Sequence, residues 1–400
     1  MNKVYENDSY AKRICTEVLS CEPRGEHFSI TLSDSVFFPE EGGQYSDTGW
    51  LTLVGAGKEA ERIRLLHGEY RKNGAEPWIS YLVDRFIEPG SRINCELDWD
   101  IRYDRMQNHS GEHILSGLIH KTYGLNNVGF HLSDDGPVTL TMDGVLTKEQ
   151  VEELEDEANR IICANLPITA SYPKKEELSS LSYRSKIEIE GQVRLITIGE
   201  PDRPIDVCAC CAPHVARTGE IGLLKVLSVM SYKGGVQIGI LCGRRALLEF
   251  RHMQQLLTQT AGLLSTNPDK LPSLVAAKLS ELSETKGMVS AFREKAYLDA
   301  IETMPQSEPG CIFAEGDLSA TNMKNIYNAL TTHFSGYVGV FCGSDAEGYR
   351  YFAGSSHLDS TVLAAAMREK LGAKGGGTKE MVQGKTMEKK ENILTFLGNV

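Results

Sequence analysis

His109 and His113 stand four residues apart in IRYDRMQNHSGEHILSGLIHKTYG (101–124), and about a hundred residues later Cys210 and His214 repeat that spacing. A separation of four places two imidazoles one turn apart on one helical face, where both can reach a single ion. The second pair adds a thiolate and a third imidazole. Together they make a Cys/His₃ set of the kind that suits tetrahedral zinc, one ion per chain. Either pair alone is a weak signal; the joint occurrence, in glycine-flanked segments, points to a metal-dependent enzyme. Within CACCAPH (208–214), Cys208 and Cys211 compete with Cys210 for the thiolate position.

The first motif also reads H-x-x-E-H, the pattern of one metallopeptidase class, in which Glu112 would be the general base and a downstream carboxylate the third ligand. Such a site has no use for the Cys/His pair. Glu112 otherwise fits an outer partner of a ligand histidine or a solvated helix residue. His120 reads as structural, and His131 in GFHLS as a residue lining the pocket. Gln44, after two glycines that let backbone approach a ligand, is a second candidate for a catalytic or pocket role.

The elements that must position these residues follow from patterning. Segments 27–39 and 88–100 alternate apolar and polar residues at period two and read as strands, with the Gly-punctuated FFPEEGGQYSDTGWL (37–51) as a loop between strands. Residues 1–95 are therefore expected to form a small β-barrel-like domain. From Asp100 the period changes: Met106, Ile114, Leu115, Leu118 and Ile119 stripe a helix that Gly124 closes. TKEQVEELEDEANRIICANLP is a second helix, capped by Thr147 and stopped by Pro167. VTLTMDG, VRLITIG and the apolar run 222–243 add strands, so residues 96–245 form an α+β domain holding all four candidate ligands. Helices at 246–264 and 271–304 follow, broken by TNPD. Val275, Leu279, Leu282, Val289, Phe292 and Ala296 step by three or four, interrupted at Lys286. That pattern describes a helical hairpin or short coiled coil at 246–305, or equally a helix packed on its own domain. Residues 306–400 read as an α/β domain with a Gly- and Lys-rich loop, GAKGGGTKEMVQGK (372–385). The expected class is α+β in four parts.

The 400 residues carry a net charge of −12 and ten cysteines, most of them isolated. Isolated cysteines read as reduced thiols of a reducing compartment, and the absence of an apolar signal core makes the cytoplasm the default location. No stretch approaches 18 apolar residues, so no membrane helix is expected. The acidity argues against bulk attraction to nucleic acid, although a local basic face can still bind it.

Three segments resemble the alanyl-tRNA editing family, which comprises free-standing AlaX-type proteins and the editing domain of alanyl-tRNA synthetase. FFPEEGGQYSDTG (37–49) is similar to its F-x-P-E-G-G-G-Q-x-x-D-T-G loop. DWDIRYDRMQNHSGEHILSG (98–117) is similar to its D-W-x-x-R-x-x-x-M-x-x-H-T-x-x-H-L-L segment. CCAPHVARTGEIG (210–222) resembles C-G-G-T-H-V-x-x-T-G-E-I-G, with Ala212-Pro213 in place of Gly-Thr. Aligned on T-G-E-I-G, the resemblance assigns the metal cysteine to Cys210. GGGTKEMVQGK (375–385) resembles G-G-G-R-P-D-M-A-Q-G-G of the DHH-associated C-terminal domain, with Thr378-Lys379-Glu380 replacing Arg-Pro-Asp. Only about 36 residues precede the glycine loop, so a long free-standing editing protein is expected.

The resemblance implies zinc-dependent hydrolysis of the ester joining a non-cognate amino acid, serine or glycine, to tRNA(Ala). A site that hydrogen-bonds the serine hydroxyl rejects alanine, because its polar groups would be left unpaired; Gln44, Thr48 and Gln107 are the positions where that contact is expected. Cations for tRNA are expected from Arg244 and Arg245 and from the lysine-rich tail, where Gly375, Gly376 and Gly377 could offer backbone N–H groups to phosphate. The connector or the C-terminal domain is the candidate surface for a homodimer.

Overall fold

The computed structural model describes residues 1–55, 62–72, 77–132, 134, 136–178, 181–185, 192–307, 309–316 and 318–400. The chain is α+β and divides into two compact units, 1–256 and 257–400. The boundary falls within the helix α3 (Gly243–Leu263).

Six strands, β1 (Arg13–Arg24), β2 (His27–Leu32), β3 (Gly49–Leu53), β4 (Ile63–Lys72), β5 (Pro77–Val83) and β6 (Arg92–Leu97), close into a barrel in the order β1-β2-β5-β4-β3-β6. Closure follows from β6, which pairs antiparallel with both β1 and β3. Period-two alternation sends Val18, Ile30, Leu32, Leu51, Leu65, Ile79, Tyr81, Val83 and Ile93 inward. The loop 36–48 adds Val36, Phe37 and Phe38 to this core.

Helix α1 (Trp99–Tyr123) carries both histidines of the first motif and ends where Gly124 adopts a left-handed conformation, its N–H donated to the His120 carbonyl. From Arg105 to Ile119 almost every residue is buried. One side packs into a second core with α2 (Lys148–Cys163) and the sheet β12-β13-β8-β7, formed by β7 (Asn127–His131), β8 (Val138–Met142), β12 (Leu224–Tyr232) and β13 (Gly235–Cys242). Thr147 caps α2 through a reciprocal box with Gln150. A third sheet, β9 (Ile168–Ser171), β10 (Leu195–Glu200) and β11 (Arg203–Ala209), lays β11 against α1.

The barrel loop is tied to α1 by buried charge. Arg102, fully buried, donates through Nε to Asp47 Oδ2 at 2.9 Å, through Nη2 to the same oxygen, and at 2.6 Å to the Val36 carbonyl. Asp47 Oδ2 also accepts the Phe38 N–H at 2.7 Å. One turn on, Arg105 donates to the Ser46 carbonyl at 2.6 Å and grips both oxygens of Asp134 at 2.7 Å. The loop is thereby held over the middle of α1, where the histidines lie.

In the second unit, α4 (Leu271–Glu302) packs on α5 (Ala320–His333). Its Val275, Leu279, Leu282, Val289 and Phe292 stay exposed. A sheet in the order β14-β15-β16-β18-β17 is built from β14 (Cys311–Ala314), β15 (Val338–Ser344), β16 (Gly348–Gly354), β17 (Lys374–Gly377) and β18 (Met381–Thr386), with helices α6 (Ser360–Leu371) and α7 (Lys390–Leu397). The expected Gly-rich loop is a strand: β17 contains Gly375, Gly376 and Gly377 and pairs antiparallel with β18 at the sheet edge. A Cβ at Gly375 or Gly377 would lie 2.1 Å from a β18 carbonyl oxygen, so close backbone approach, not loop freedom, requires these glycines.

Candidate metal centre

Helix α1 presents His109 and His113 on one face, and the segment after β11 brings Cys210 and His214 to meet them. The four ligand atoms lie within 4.8 Å of one another. His109 Nε2 is 3.7 Å and His214 Nε2 3.4 Å from Cys210 Sγ. With metal bonds of about 2.3 Å to sulfur and 2.05 Å to nitrogen, a tetrahedral zinc site has an S···N edge of about 3.6 Å. The two observed separations bracket that edge. The ring centroids of the three histidines are 4.7–5.2 Å apart, and all three are buried. The residues present therefore fit a zinc ion in both donor chemistry and spacing.

Each imidazole has a polar side chain behind it. His109 Nδ1 donates to Gln44 Oε1 at 2.7 Å, which fixes the tautomer that leaves Nε2 free toward the sulfur. His214 Nδ1 lies 3.0 Å from Ser110 Oγ, which also accepts the Val215 N–H at 3.3 Å. His113 Nδ1 faces Asp206 Oδ2 at 3.4 Å, and Arg184 clamps that carboxylate with two 2.7 Å hydrogen bonds. Phe130 covers His109, with centroids 4.7 Å apart.

Burial and neighbouring charges shift the protonation of the group in both directions. Burial alone would raise the Cys210 thiol, but the imidazoles of His109 and His214 outweigh it and hold it well below its ordinary value. Burial pushes His214 down to about 3, so it stays neutral. Burial also acts to lower His113, but Cys208, Asp206 and Cys210 overcome it and raise its pKa well above the ordinary imidazole value. Burial pushes Asp206 up, and His113 and Arg184 more than reverse that. Cys211 is pushed up to about 12 by burial, Cys208 is raised by the same cause, and neither joins the four-residue group.

A cavity of about 250 Å³ opens onto the site, bounded in part by Phe38, Glu41, His109, His113, Arg194 and Cys210. Arg194 Nη1 donates to the Cys210 and Ala212 carbonyls, each at 2.9 Å, and so shapes the ligand loop. Its Nε is buried without a hydrogen-bond partner among the described residues. The glycine loop reaches the cavity through a tight turn in which Glu41 and Gln44 exchange backbone hydrogen bonds. Gly42 and Gly43 occupy its centre at φ +63° and +87°, as a type I′ turn demands. A Cβ on Gly43 would sit 2.3 Å from the Phe130 carbonyl oxygen. One turn thus places Gln44 behind His109 and Glu41 beside the cavity.

The remaining sequence candidates lie as follows. Glu112 is buried, accepts from Asn127 Nδ2 at 2.5 Å and is 3.8 Å from His113 Nε2; it does not line the cavity. Gln44 is fully buried, and its Nε2 has no hydrogen-bond partner among the described residues; it too does not line the cavity. Thr48 is half-buried and donates to Asp98 at 2.5 Å. Gln107 donates to the Glu220 carbonyl at 2.7 Å. Neither Thr48 nor Gln107 lines the cavity. His131 is exposed and packs edge-on against Tyr45. Arg244 is exposed, whereas Arg245 is held by Asp104 at 2.6 Å. Gly375, Gly376 and Gly377 belong to the second unit. Asp206, Arg184, Ser110, Arg194 and Glu41 were not anticipated. A signal existed for Asp206: it shares a strand face, at period two, with Cys208 and with the approach to Cys210.

Residues 193–237 match the threonyl and alanyl tRNA synthetase second additional domain. The chain is 26% identical over 405 residues to the alanyl-tRNA editing protein AlaX-L of Pyrococcus horikoshii, covering 98% of this chain and 96% of that protein. It is 26% identical over 341 residues to the alanyl-tRNA editing protein Aarsd1-B of Xenopus laevis, covering 80% and 78%. Alanine–tRNA ligase of Ignicoccus hospitalis is 26% identical over 388 residues, 94% of this chain but 40% of the ligase. The similarity to alanyl-tRNA editing proteins thus extends along nearly the whole chain, as its motifs led us to expect.

Proposed function

We propose that this chain is a trans-editing hydrolase that cleaves the ester between a non-cognate amino acid, serine or glycine, and tRNA(Ala). The observation that carries the reading is that the Cys/His₃ group is not sealed in a core but opens on a cavity able to take a small ligand. The relatives named as alanyl-tRNA editing proteins support the substrate class. His109, His113, Cys210 and His214 would hold one zinc ion; when bound there it supplies Lewis-acid polarisation at the cavity. Gln44, Ser110 and Asp206 orient the imidazoles, and the buried setting excludes bulk water. Gln44, fully buried and hydrogen-bonded to His109, acts behind the ligand rather than on the substrate, so the group that meets the serine hydroxyl belongs to the cavity lining. Exposed Arg244 and the tail lysines would meet the tRNA backbone, and the exposed apolar stripe of α4 supports a homodimer through the connector. Glu112, buried beside His113 and hydrogen-bonded to Asn127, does not line the cavity and lends no support to a peptidase reading.

A second reading, a non-catalytic zinc-stabilised tRNA-binding protein, draws on the fact that four protein ligands complete a tetrahedral set. One experiment separates the two: release of serine from Ser-tRNA(Ala), with Ala-tRNA(Ala) as comparison, together with metal content, for the wild type and the Cys210→Ala and Cys208→Ala variants. The hydrolase reading expects serine to be released and alanine kept, with metal and activity both lost in Cys210→Ala and both retained in Cys208→Ala. Full metal occupancy without deacylation transfers the case to the binding protein.

A further inference from the structure

Glu41 is the one carboxylate lining the cavity among the described residues. It is half-buried, and its side chain has no hydrogen bond or ion pair among the described residues. Burial raises its carboxyl pKa, an effect that nearby Lys3 opposes and Glu6 and Cys210 reinforce. A partly desolvated carboxylate without a partner is costly unless a cation joins it. Nor does the backbone of the turn need a glutamate here: its positive φ angles fall on Gly42 and Gly43. The turn holding it has Gln44 at its other end, hydrogen-bonded to His109. The backbone at Glu41 is thereby tied to a candidate metal ligand, while its side chain can turn toward a cation in the cavity.

An aminoacyl ester differs from other acyl esters by its α-ammonium group, adjacent to the carbonyl that must reach the metal ligands. Resting on the deacylase reading above, we propose that Glu41 is a specificity residue that binds the α-ammonium of the aminoacyl ester and so aligns its carbonyl with the His109/His113/Cys210/His214 group. Arg194, whose Nη1 donates to the Cys210 and Ala212 carbonyls, makes no ion pair with Glu41 among the described residues. The contact is a charge-assisted hydrogen bond of the kind that strengthens in a confined, poorly hydrated site.

The test compares two esters of the same tRNA(Ala): the seryl ester, and its deaminated counterpart in which a hydroxyl replaces the α-ammonium. Hydrolysis of both is measured with the wild type, Glu41→Gln and Glu41→Gly, metal content being verified for each. The expected result is a fall of roughly tenfold or more in kcat/KM for the seryl ester, while the hydroxy ester is cleaved at the wild-type rate. Binding gives an independent reading. The non-hydrolysable 3′-serylamino-3′-deoxyadenosine should bind the variants more weakly than the wild type, and its hydroxy analogue equally. Equal slowing of both esters would overturn the proposal in favour of a role independent of the ammonium, and no change in either would overturn it outright. If the wild type cleaves neither ester, the deacylase reading itself fails and takes this one with it; a cleaving wild type with insensitive variants sinks only the role of Glu41.

Discussion

The Asp206 carboxylate stands 3.4 Å from Nδ1 of His113, with Arg184 gripping both of its oxygens. A carboxylate behind an imidazole orients the ring and raises its basicity as a ligand. The arrangement extends the site from α1 through β11 to Arg184, none of which touches another in sequence.

Replacing Asp206 by Asn should therefore weaken metal binding by about 10–100-fold while all four ligands remain. Titration with zinc against a competing chelator measures it. Unchanged affinity would reduce the Asp206–His113 pair to a packing contact.

Metal affinity should also depend on pH in a defined direction. The lowered pKa values of Cys210 and His214 favour the thiolate and the neutral ring that a metal takes. His113 is raised well above the ordinary value, which favours its protonated form. A metal requires the neutral ring, so binding should displace the His113 proton. Affinity should fall as pH drops through the raised His113 range and level off above it. Calorimetry in buffers of different ionisation enthalpy counts the proton, and a count of zero would contradict this assignment.

The buried Arg102–Asp47 pair predicts a stability effect apart from the metal. Arg102→Met strips buried Asp47 of its closest cation, leaving it Arg105 Nη1 at 3.8 Å and the Phe38 N–H, and frees the Val36 carbonyl, so the first unit should lose about 3 kcal/mol. Denaturant unfolding of the zinc-loaded protein tests it. Because this pair holds the loop that carries Gln44 and Glu41, serine release should decline with it even where metal content is kept.

Much of the site is legible in the sequence because its determinants are local. The spacing of four between His109 and His113 needs only the 3.6-residue helical period, and Thr147 with Gln150 needs only one turn. Two glycines between Glu41 and Gln44 announce a tight turn before any fold is known. What failed was whatever depends on a distant partner. Thr48 and Gln107 have the chemistry to meet a hydroxyl, yet their hydrogen bonds go to Asp98 and to the Glu220 carbonyl. GGG at 375–377 has loop composition, yet β18 recruits it as an edge strand. Asp206 shows only a period-two relation to the cysteines until β11 is laid on α1 beside His113. The sequence by itself determined which residues can be ligands and the local turns that present them. The tertiary structure decided which polar groups stand behind those ligands and which carboxylate faces the cavity, because hydrogen bonds and desolvation act through space over a few ångströms, whatever the separation along the chain.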